Sequence, residues 1–364
     1  MAVTVADGRI AAIEDAPGED TAWLSAGLVD LQVNGFAGHD LNGGGLVPET
    51  VARLVAVLRQ GGVTTVLPTL ITASEASIIS ALAAIAAARG ADPLVAHAIP
   101  AVHVEGPHIS PEDGPRGAHP RDQVRPPDLA EFDRWQAACG GLVGLVTLSP
   151  HYDGAPDYIR GLRARGVQVS IGHTDASPAQ ITAAVDAGAA LSTHLGNGIA
   201  ATVPRHPNQL WSQLADDRLT ATFIADGHHL PASAFRAMLR AKGLDRAVLV
   251  SDAAALGGLA PGLYDQPIGG RVELSVDGRL SLAGTPFLAG AARPLAQDVA
   301  LAVEMAGFTL ADALRLATVN PGRFAGGRGV LAVGAPADLV RFRWAPGDCD
   351  LSIDTVLALG QVRG

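Results

Sequence analysis

Continuous apolar runs recur along the chain, and each run ends in Gly, Pro or a polar residue. Buried strands of a parallel sheet have this pattern because helices cover both faces of the sheet. The runs predict eight strands, at 27–33, 64–69, 99–105, 143–149, 167–173, 190–194, 221–226 and 247–252. Helical patterns, several of which begin with Ser, Asp or Pro, lie between and after them, at 48–59, 74–89, 127–138, 155–165, 177–187, 231–242, 293–305 and 310–318. This alternation predicts a (β/α)8 TIM-type barrel.

The two ends of the chain have a different pattern. Residues 3–13 are typical of two strands joined by a tight Asp7-Gly8 turn, and 337–342 and 355–362 are predicted as further strands. We therefore expect a small β-sandwich-like domain from 1–25 and 328–364 beside a catalytic barrel at 26–327. Three long segments without a regular pattern, 106–126, 196–210 and 253–290, follow predicted barrel strands, on the face where barrel enzymes carry their active sites.

Composition excludes several classes of protein. The 364 residues are 48% hydrophobic and 17% charged, which excludes a disordered chain. The formal net charge of −10 gives no general basic surface for nucleic acid or an anionic membrane, and neither is an expected partner. Two cysteines, Cys139 and Cys349, form no disulfide framework, and residues 1–20 do not have the pattern of a secretory signal. These features predict a cytoplasmic protein.

Charged and imidazole side chains stand at the ends of the predicted barrel strands. Glu105 ends the third strand, His173 the fifth, His194 the sixth and Asp252 the eighth, and the run 226–229 follows the seventh. Each alone is ordinarily a structural hydrogen-bonding residue or a helix cap, but burying all of them without an ion or a network would be costly. One carboxylate and two imidazoles suit a catalytic Zn2+ with an open position for water, and a nearby aspartate can take the proton of that water.

The motifs around these residues resemble those of the N-acetylglucosamine-6-phosphate deacetylase family of the amidohydrolase superfamily. The resemblance extends in order over nearly the whole chain. It is carried by the segments 27–35, 67–69, 103–107, 172–174, 193–197, 225–229, 250–253 and 334–339. The family usually has further strands before the N-terminal hairpin, so the small domain is expected to be incomplete in this chain.

The resemblance implies a metal-dependent hydrolase of linear amides. In the family pattern Glu105, His173 and His194 would hold one divalent metal ion per subunit, expected to be Zn2+, and Asp252 would be the general base and acid. Many superfamily members bind a second metal through a His-x-His pair after the first strand. Here Gln32 and Asn34 stand at those positions, and because neutral amides are poor zinc ligands we expect a single metal.

The resemblance also implies contacts with a phosphorylated N-acetyl amino sugar. His119 and His229 would assist catalysis and contact the substrate. The other implied substrate contacts are Ala118, Asn197, Gly198, Arg205, Asp226, His228, Leu282, Ala283 and Gly284. Arg205 lies 11 residues after His194, at the family's phosphate-binding position, and a guanidinium suits a phosphate. In the family this arginine reaches the neighbouring subunit's site, which predicts a homodimer, with Trp211 as a candidate interface anchor.

Departures from the family pattern cluster at the sugar and phosphate end. They are His108 after the Glu-Gly-Pro motif, Gly196, the run Asn197-Gly198-Ile199 and the context Pro204-Arg205-His206-Pro207. These departures leave the metal ligands and Asp252 unchanged and concern the residues that would select the substrate. Deacetylation of N-acetylglucosamine 6-phosphate is the expected reaction. The alternatives are an amidohydrolase acting on another N-acetylated sugar or amino acid, cyclic-amide opening, and a non-catalytic barrel protein, against which the intact metal ligands and Asp252 argue.

Overall fold

The strands of this protein form one large parallel sheet and several small antiparallel ones. The computed structural model describes residues 1–15, 20–266, 270–285 and 287–362. The strands in these ranges are β1 (Ala2–Ala6), β2 (Arg9–Glu14), β3 (Trp23–Ala26), β4 (Leu28–Val33), β5 (Gly35–Phe36), β6 (His39–Asp40), β7 (Val63–Ile71), β8 (Val102–Glu105), β9 (Val143–Leu148), β10 (Gln168–Ile171), β11 (Leu191–Ser192), β12 (Thr220–Phe223), β13 (Ala247–Leu249), β14 (Gly262–Gln266), β15 (Gly270–Leu274), β16 (Leu280–Leu282), β17 (Leu339–Arg343), β18 (Ser352–Ala358) and β19 (Gln361–Val362).

Helices connect the strands of the large sheet. They are α1 (Pro48–Gln60), α2 (Glu75–Ala91), α3 (Pro93–Ala98), α4 (Leu129–Cys139), α5 (Ala155–Ala164), α6 (Pro178–Asp186), α7 (Gln209–Ala215), α8 (Ala232–Lys242), α9 (Leu295–Ala306), α10 (Leu310–Leu316) and α11 (Val319–Gly322), with 3-10 turns at Arg121–Gln123 and Leu244–Arg246. Local caps fix several helix starts. Ser177, for example, forms a capping box with Gln180 at the start of α6. In the described part of the chain no helix has the length and apolar character needed to cross a membrane.

The large sheet confirms the predicted barrel. Its strand order is β4-β7-β8-β9-β10-β11-β12-β13, and neighbouring strands are parallel. The two edge strands approach each other at their carboxyl ends, where Val33 and Ala253 form a parallel bridge and the Asp252 amide donates to the Gln32 carbonyl at 2.9 Å. The loops that follow the strands therefore meet around one mouth.

The expectation of an irregular 253–290 segment is wrong. β14, β15 and β16 form an antiparallel sheet within it, and Val272, Leu274 and Leu280 pack with Leu256 and Ala292 in a separate small core. These strands are short and alternate exposed with buried positions, so they lack the continuous apolar runs that indicated the barrel strands. The third barrel strand begins at Val102, three residues later than predicted. The segment before it forms α3, a helix that was not predicted and that begins at Pro93 with Asp92 as its cap.

Both chain ends contribute to β-sheets beside the barrel, as predicted. β3, β17, β18 and β19 form a four-stranded sheet, and the β1–β2 hairpin packs against it through Ile10, Ala337 and Leu339. The predicted single strand at 355–362 is divided into β18 and β19. The domain boundaries at 25/26 and 327/328 stay predictions, and the first of them falls inside β3.

Candidate metal centre and active site

Three buried side chains place a carboxylate and two imidazoles against one another. The Nε2 atoms of His173 and His194 are 3.1 Å apart, and Glu105 Oε1 lies 3.3 Å from the first and 3.1 Å from the second. Zinc ligands at about 2.0–2.1 Å from a tetrahedral centre are separated by about 3.3 Å, so the spacing fits such an ion. Of the His, Cys, Asp and Glu side chains in the described residues, these three form a group that could share a metal ion, with donor atoms within 4.8 Å of one another.

Strained backbone at the strand ends presents the site side chains. Glu105 is the last residue of β8, whereas His173 and His194 each follow the end of a strand by two residues. His173, His194 and Asp252 have positive φ angles of 48°, 29° and 49°, which non-glycine residues seldom adopt. Strain of this kind costs ~1–3 kcal/mol per residue and concentrates at functional sites. Of six such residues in the described ranges, three belong to this site.

The surroundings of His173 and Glu105 hold both side chains in ligand orientation. The Pro115 carbonyl accepts a hydrogen bond of 2.8 Å from His173 Nδ1, which leaves the lone pair of Nε2 directed into the cluster. Gly117 and Gly198 pack against the same imidazole. Gln32 Nε2 donates to Glu105 Oε1 at 2.8 Å. Burial alone would raise the pKa of Glu105, but without a metal ion the protonated forms of His173 and His194 hold it well below its usual range through hydrogen bonds and charge, so the carboxylate is ionised.

Asp252 lies beside the cluster with the properties of a proton acceptor. Burial raises the pKa of Asp252 to about 6, and the negative charge of Glu105 acts in the same direction. The Oδ1 atom accepts a hydrogen bond of 2.7 Å from Asn34 Nδ2. One carboxylate oxygen is thus held in place, and the other is available to take a proton at a pH close to neutrality.

His119, predicted from the loop after the third barrel strand, lies next to the cluster. Its ring centroid is 4.3 Å from that of His173, and its Nε2 is 4.0 Å from Glu105 Oε2. Burial lowers the pKa of His119 to about 3, with the charge of His173 adding to the effect, so the ring is neutral. The Thr72 amide approaches Nδ1 at 3.4 Å and its hydroxyl at 2.8 Å. Since the amide can only donate, Nδ1 is the acceptor and Nε2 carries the proton.

One cavity of about 370 Å³ joins these groups. Predicted site residues that line it are Glu105, Ala118, His119, His173, His194, Asn197, Gly198, His229 and Asp252. Sequence reasoning did not assign a cavity position to several other lining residues. They include Asp40, Asn42, Gln266, Phe287 and Leu288. The last three lie in or beside the small sheet of β14–β16, which the sequence pattern did not predict.

Other predicted contact residues do not line this cavity in the described structure. Arg205 is exposed on the loop before α7. His228 turns toward the β15–β16 connection, where its Nε2 lies 3.1 Å from the Asp277 carbonyl oxygen. Leu282, Ala283 and Gly284 lie at the end of β16, close in sequence to the lining residues 287–290. Asp226 is buried behind His229 and bonds to its imidazole. A direct substrate contact by any of these residues stays a prediction.

Comparisons with known proteins agree with this geometry. The profile of the Amidohydrolase family matches residues 23–363. The N-acetylglucosamine-6-phosphate deacetylase of Bacillus subtilis (strain 168) is 31% identical over 322 residues, which are 87% of this chain and 80% of the relative. The N-acetylgalactosamine-6-phosphate deacetylase of Escherichia coli O157:H7 is 34% identical over 90% of this chain and 85% of its own. A crystal structure of the N-acetyl-D-glucosamine-6-phosphate deacetylase from Mycobacterium smegmatis superposes with a TM-score of 0.88 at 32% identity, covering 99% and 94% of the two chains.

Proposed function

The chain belongs to the amidohydrolase family, in the group of N-acetylglucosamine-6-phosphate deacetylases, and from this premise we propose that it hydrolyses N-acetylglucosamine 6-phosphate to glucosamine 6-phosphate and acetate. The observation that carries the proposal is the cavity that holds the Glu105, His173 and His194 cluster together with Asp252. Amide hydrolysis needs an activated water, a stabilised oxyanion and a proton for the departing amine, and this set of groups matches those needs.

Glu105, His173 and His194 would hold one divalent cation, which we propose to be Zn2+. When bound there, such an ion would lower the pKa of water and polarise the amide carbonyl. Gln32 and Asn34 occupy the positions of a second metal pair, and their amides instead donate to Glu105 and Asp252. Asn34 Oδ1 is buried and has no hydrogen-bond partner in the described structure. A neutral amide oxygen is a poor zinc ligand, however, which supports a single-metal site.

Asp252 performs both proton transfers of the proposed reaction. Its Oδ2 accepts the proton from the attacking water, while Oδ1 is held by Asn34. The same carboxyl then passes the proton to the departing nitrogen, since an amide anion is too basic to leave. His119 presents Nε2–H beside the cluster and donates to the oxyanion that develops on the acetyl carbonyl, a contribution typically of ~3 kcal/mol.

Arg205 would bind the substrate phosphate in the cavity of a neighbouring subunit. Its side chain is exposed and does not line the cavity of its own chain. Trp211, 52% exposed at the start of α7, offers an aromatic anchor for a subunit interface near the same loop. These features support a homodimer in which each active site is completed by its partner. Cys139 and Cys349 are both free thiols, which supports a location in the cytoplasm.

A second candidate substrate is N-acetylgalactosamine 6-phosphate, which the Escherichia coli relative's name specifies. The two sugars differ at one hydroxyl, and the metal cluster and Asp252 would act on either. Acetate release should be measured with both phosphosugars and with their unphosphorylated forms, using Asp252→Asn as the inactive control. A higher kcat/KM for N-acetylglucosamine 6-phosphate than for the other three supports the proposal. Turnover of none of them would overturn it.

A further inference from the structure

Asp226 and His229 form a buried pair at the wall of the cavity. Asp226 Oδ2 lies 2.7 Å from His229 Nδ1, and Oδ1 accepts the backbone amides of His228 and His229 at 2.8 and 2.9 Å. The Asp226 side chain is only 2% exposed, whereas His229 lines the cavity. The carboxylate therefore contacts the imidazole from behind and is itself fixed by the main chain.

We infer that Asp226 is a positioning residue, which holds His229 in the Nδ1–H tautomer and so leaves Nε2 as a hydrogen-bond acceptor for a donor group of the substrate. An ionised carboxylate can only accept, so His229 keeps a proton on Nδ1, and Nε2 is an acceptor in the neutral form of the ring. Burial would raise the pKa of Asp226, but the hydrogen bond and charge of His229 and the backbone hydrogen bonds lower it to about 2, and the carboxylate is ionised at neutral pH.

The pairing gives the two cavity histidines opposite roles. The Thr72 amide forces His119 to carry its proton on Nε2, and that ring is a donor toward the cluster. Asp226 keeps a proton on His229 Nδ1, and the neutral form of that ring is an acceptor toward the cavity. A substrate with both a carbonyl oxygen and hydroxyl groups can use both rings at once. The role of His229 rests on the proposed function, whereas its tautomer does not.

Asp226→Asn tests the inference because the backbone fixes how the new amide must lie. Two main-chain N–H groups require the amide oxygen at the Oδ1 position, so Nδ2 replaces Oδ2 and donates to His229 Nδ1. The substitution should thus switch His229 to the Nε2–H tautomer with little change of volume. Asp40→Asn is the matched control. It removes a carboxylate that lines the same cavity and that forms no hydrogen bond or ion pair with His229 in the described structure.

The readout is 15N NMR of histidine-labelled protein without substrate, recorded over a pH series that includes the neutral form of the His229 ring. The His229 signals are assigned by their loss in His229→Gln. Wild type and Asp40→Asn should show Nδ1–H, and Asp226→Asn should show Nε2–H. A wild-type Nε2–H signal, or a variant that keeps Nδ1–H, would overturn the inference. The wild-type spectrum decides the tautomer even if a variant does not fold, and it does so whether or not the protein deacetylates any sugar.

Kinetics test the role in the reaction. Asp226→Asn should raise KM by about 10–100-fold, the loss expected when an acceptor becomes a donor facing a substrate donor. In a His229→Gln background the same substitution should add less than about threefold, because residues that act through one another are not additive. Equal effects in both backgrounds would mean that Asp226 supports the loop alone, and would overturn its action through His229.

Discussion

Two glycines that pack on the same metal ligand give the sharpest test of the site's geometry. Gly117 and Gly198 both have a φ of +59°, so alanine meets the same backbone penalty at each position. The contacts of the added methyl group differ. At Gly198 the Cβ would lie 2.9 Å from His173 Nδ1, inside normal contact, whereas at Gly117 its nearest atom, His173 Cε1, is at 3.4 Å.

Gly198→Ala must therefore displace the His173 ring, which its hydrogen bond to the Pro115 carbonyl resists. Overpacking of this kind costs about 1–3 kcal/mol, and each 1.4 kcal/mol that appears in metal binding is tenfold in affinity. We expect the Kd for Zn2+ to rise by about 10–100-fold in Gly198→Ala, similar to the loss of other residues that support metal ligands. In Gly117→Ala it should rise by less than about threefold, since that methyl group makes only ordinary contact.

The measurement is competition for Zn2+ with a chelator of known affinity, at fixed pH. Urea unfolding of the two metal-free proteins is the control, because it measures how much of the overpacking cost lowers the stability of the metal-free fold and how much appears only in metal binding. Equal Kd values for the two variants would refute the reasoning. That result would mean that the position of His173 does not limit metal affinity, or that the ring moves freely.

Four further predictions test other parts of the site and fold. Asp252→Asn should keep its metal and lose about 10²–10⁴ in kcat, and retention of more than about a tenth would exclude Asp252 as the proton carrier. Elemental analysis of protein purified without chelator should find about one metal equivalent per chain, since neutral amides at Gln32 and Asn34 are poor ligands; two equivalents would contradict this. Lys242→Met should lower the free energy of unfolding by about 2–3 kcal/mol, because the buried ammonium donates to two backbone carbonyls at the end of α7; an unchanged urea midpoint would contradict it. Mixing and refolding Asp252→Asn with Arg205→Ala should restore up to about a quarter of wild-type activity, because half of the random dimers carry one intact site; no recovery would argue against an arginine supplied by the partner.

The barrel could be predicted because its strands are buried on both faces and appear as continuous apolar runs. The proximity of the candidate ligands could be predicted because strand ends converge in a barrel, so that residues as distant as Glu105 and His194 were expected to meet. The small sheet of β14–β16 could not be predicted, because its strands are short and half-exposed. Nor did spacing reveal that Gly117 and Gly198 touch His173, since each contact depends on how a loop returns to the barrel mouth.

The roles of neighbouring residues in one motif were also beyond the sequence. The run 226–229 suggested that Asp226, His228 and His229 all face the substrate. In the structure the backbone turn after β12 separates them, with His229 on the cavity, Asp226 behind it and His228 directed to the β15–β16 connection. Sequence spacing gives proximity, whereas the direction of a side chain depends on φ and ψ angles that a short motif does not specify.

Asn34 connects the proposed single-metal site with the proposed role of Asp252. A second cation at this position would lie beside the carboxylate and depress its pKa strongly, because an opposite charge within a few ångströms favours the ionised form. The amide of Asn34 donates one neutral hydrogen bond instead, and in the metal-free protein burial raises the pKa of Asp252 to about 6. A carboxyl group that must first take a proton and then return it to an amine works best with a pKa close to the working pH. A second cation held by histidines at these positions would lower the pKa of Asp252 further, so the proposed single-metal site leaves Asp252 more basic than a two-metal site would.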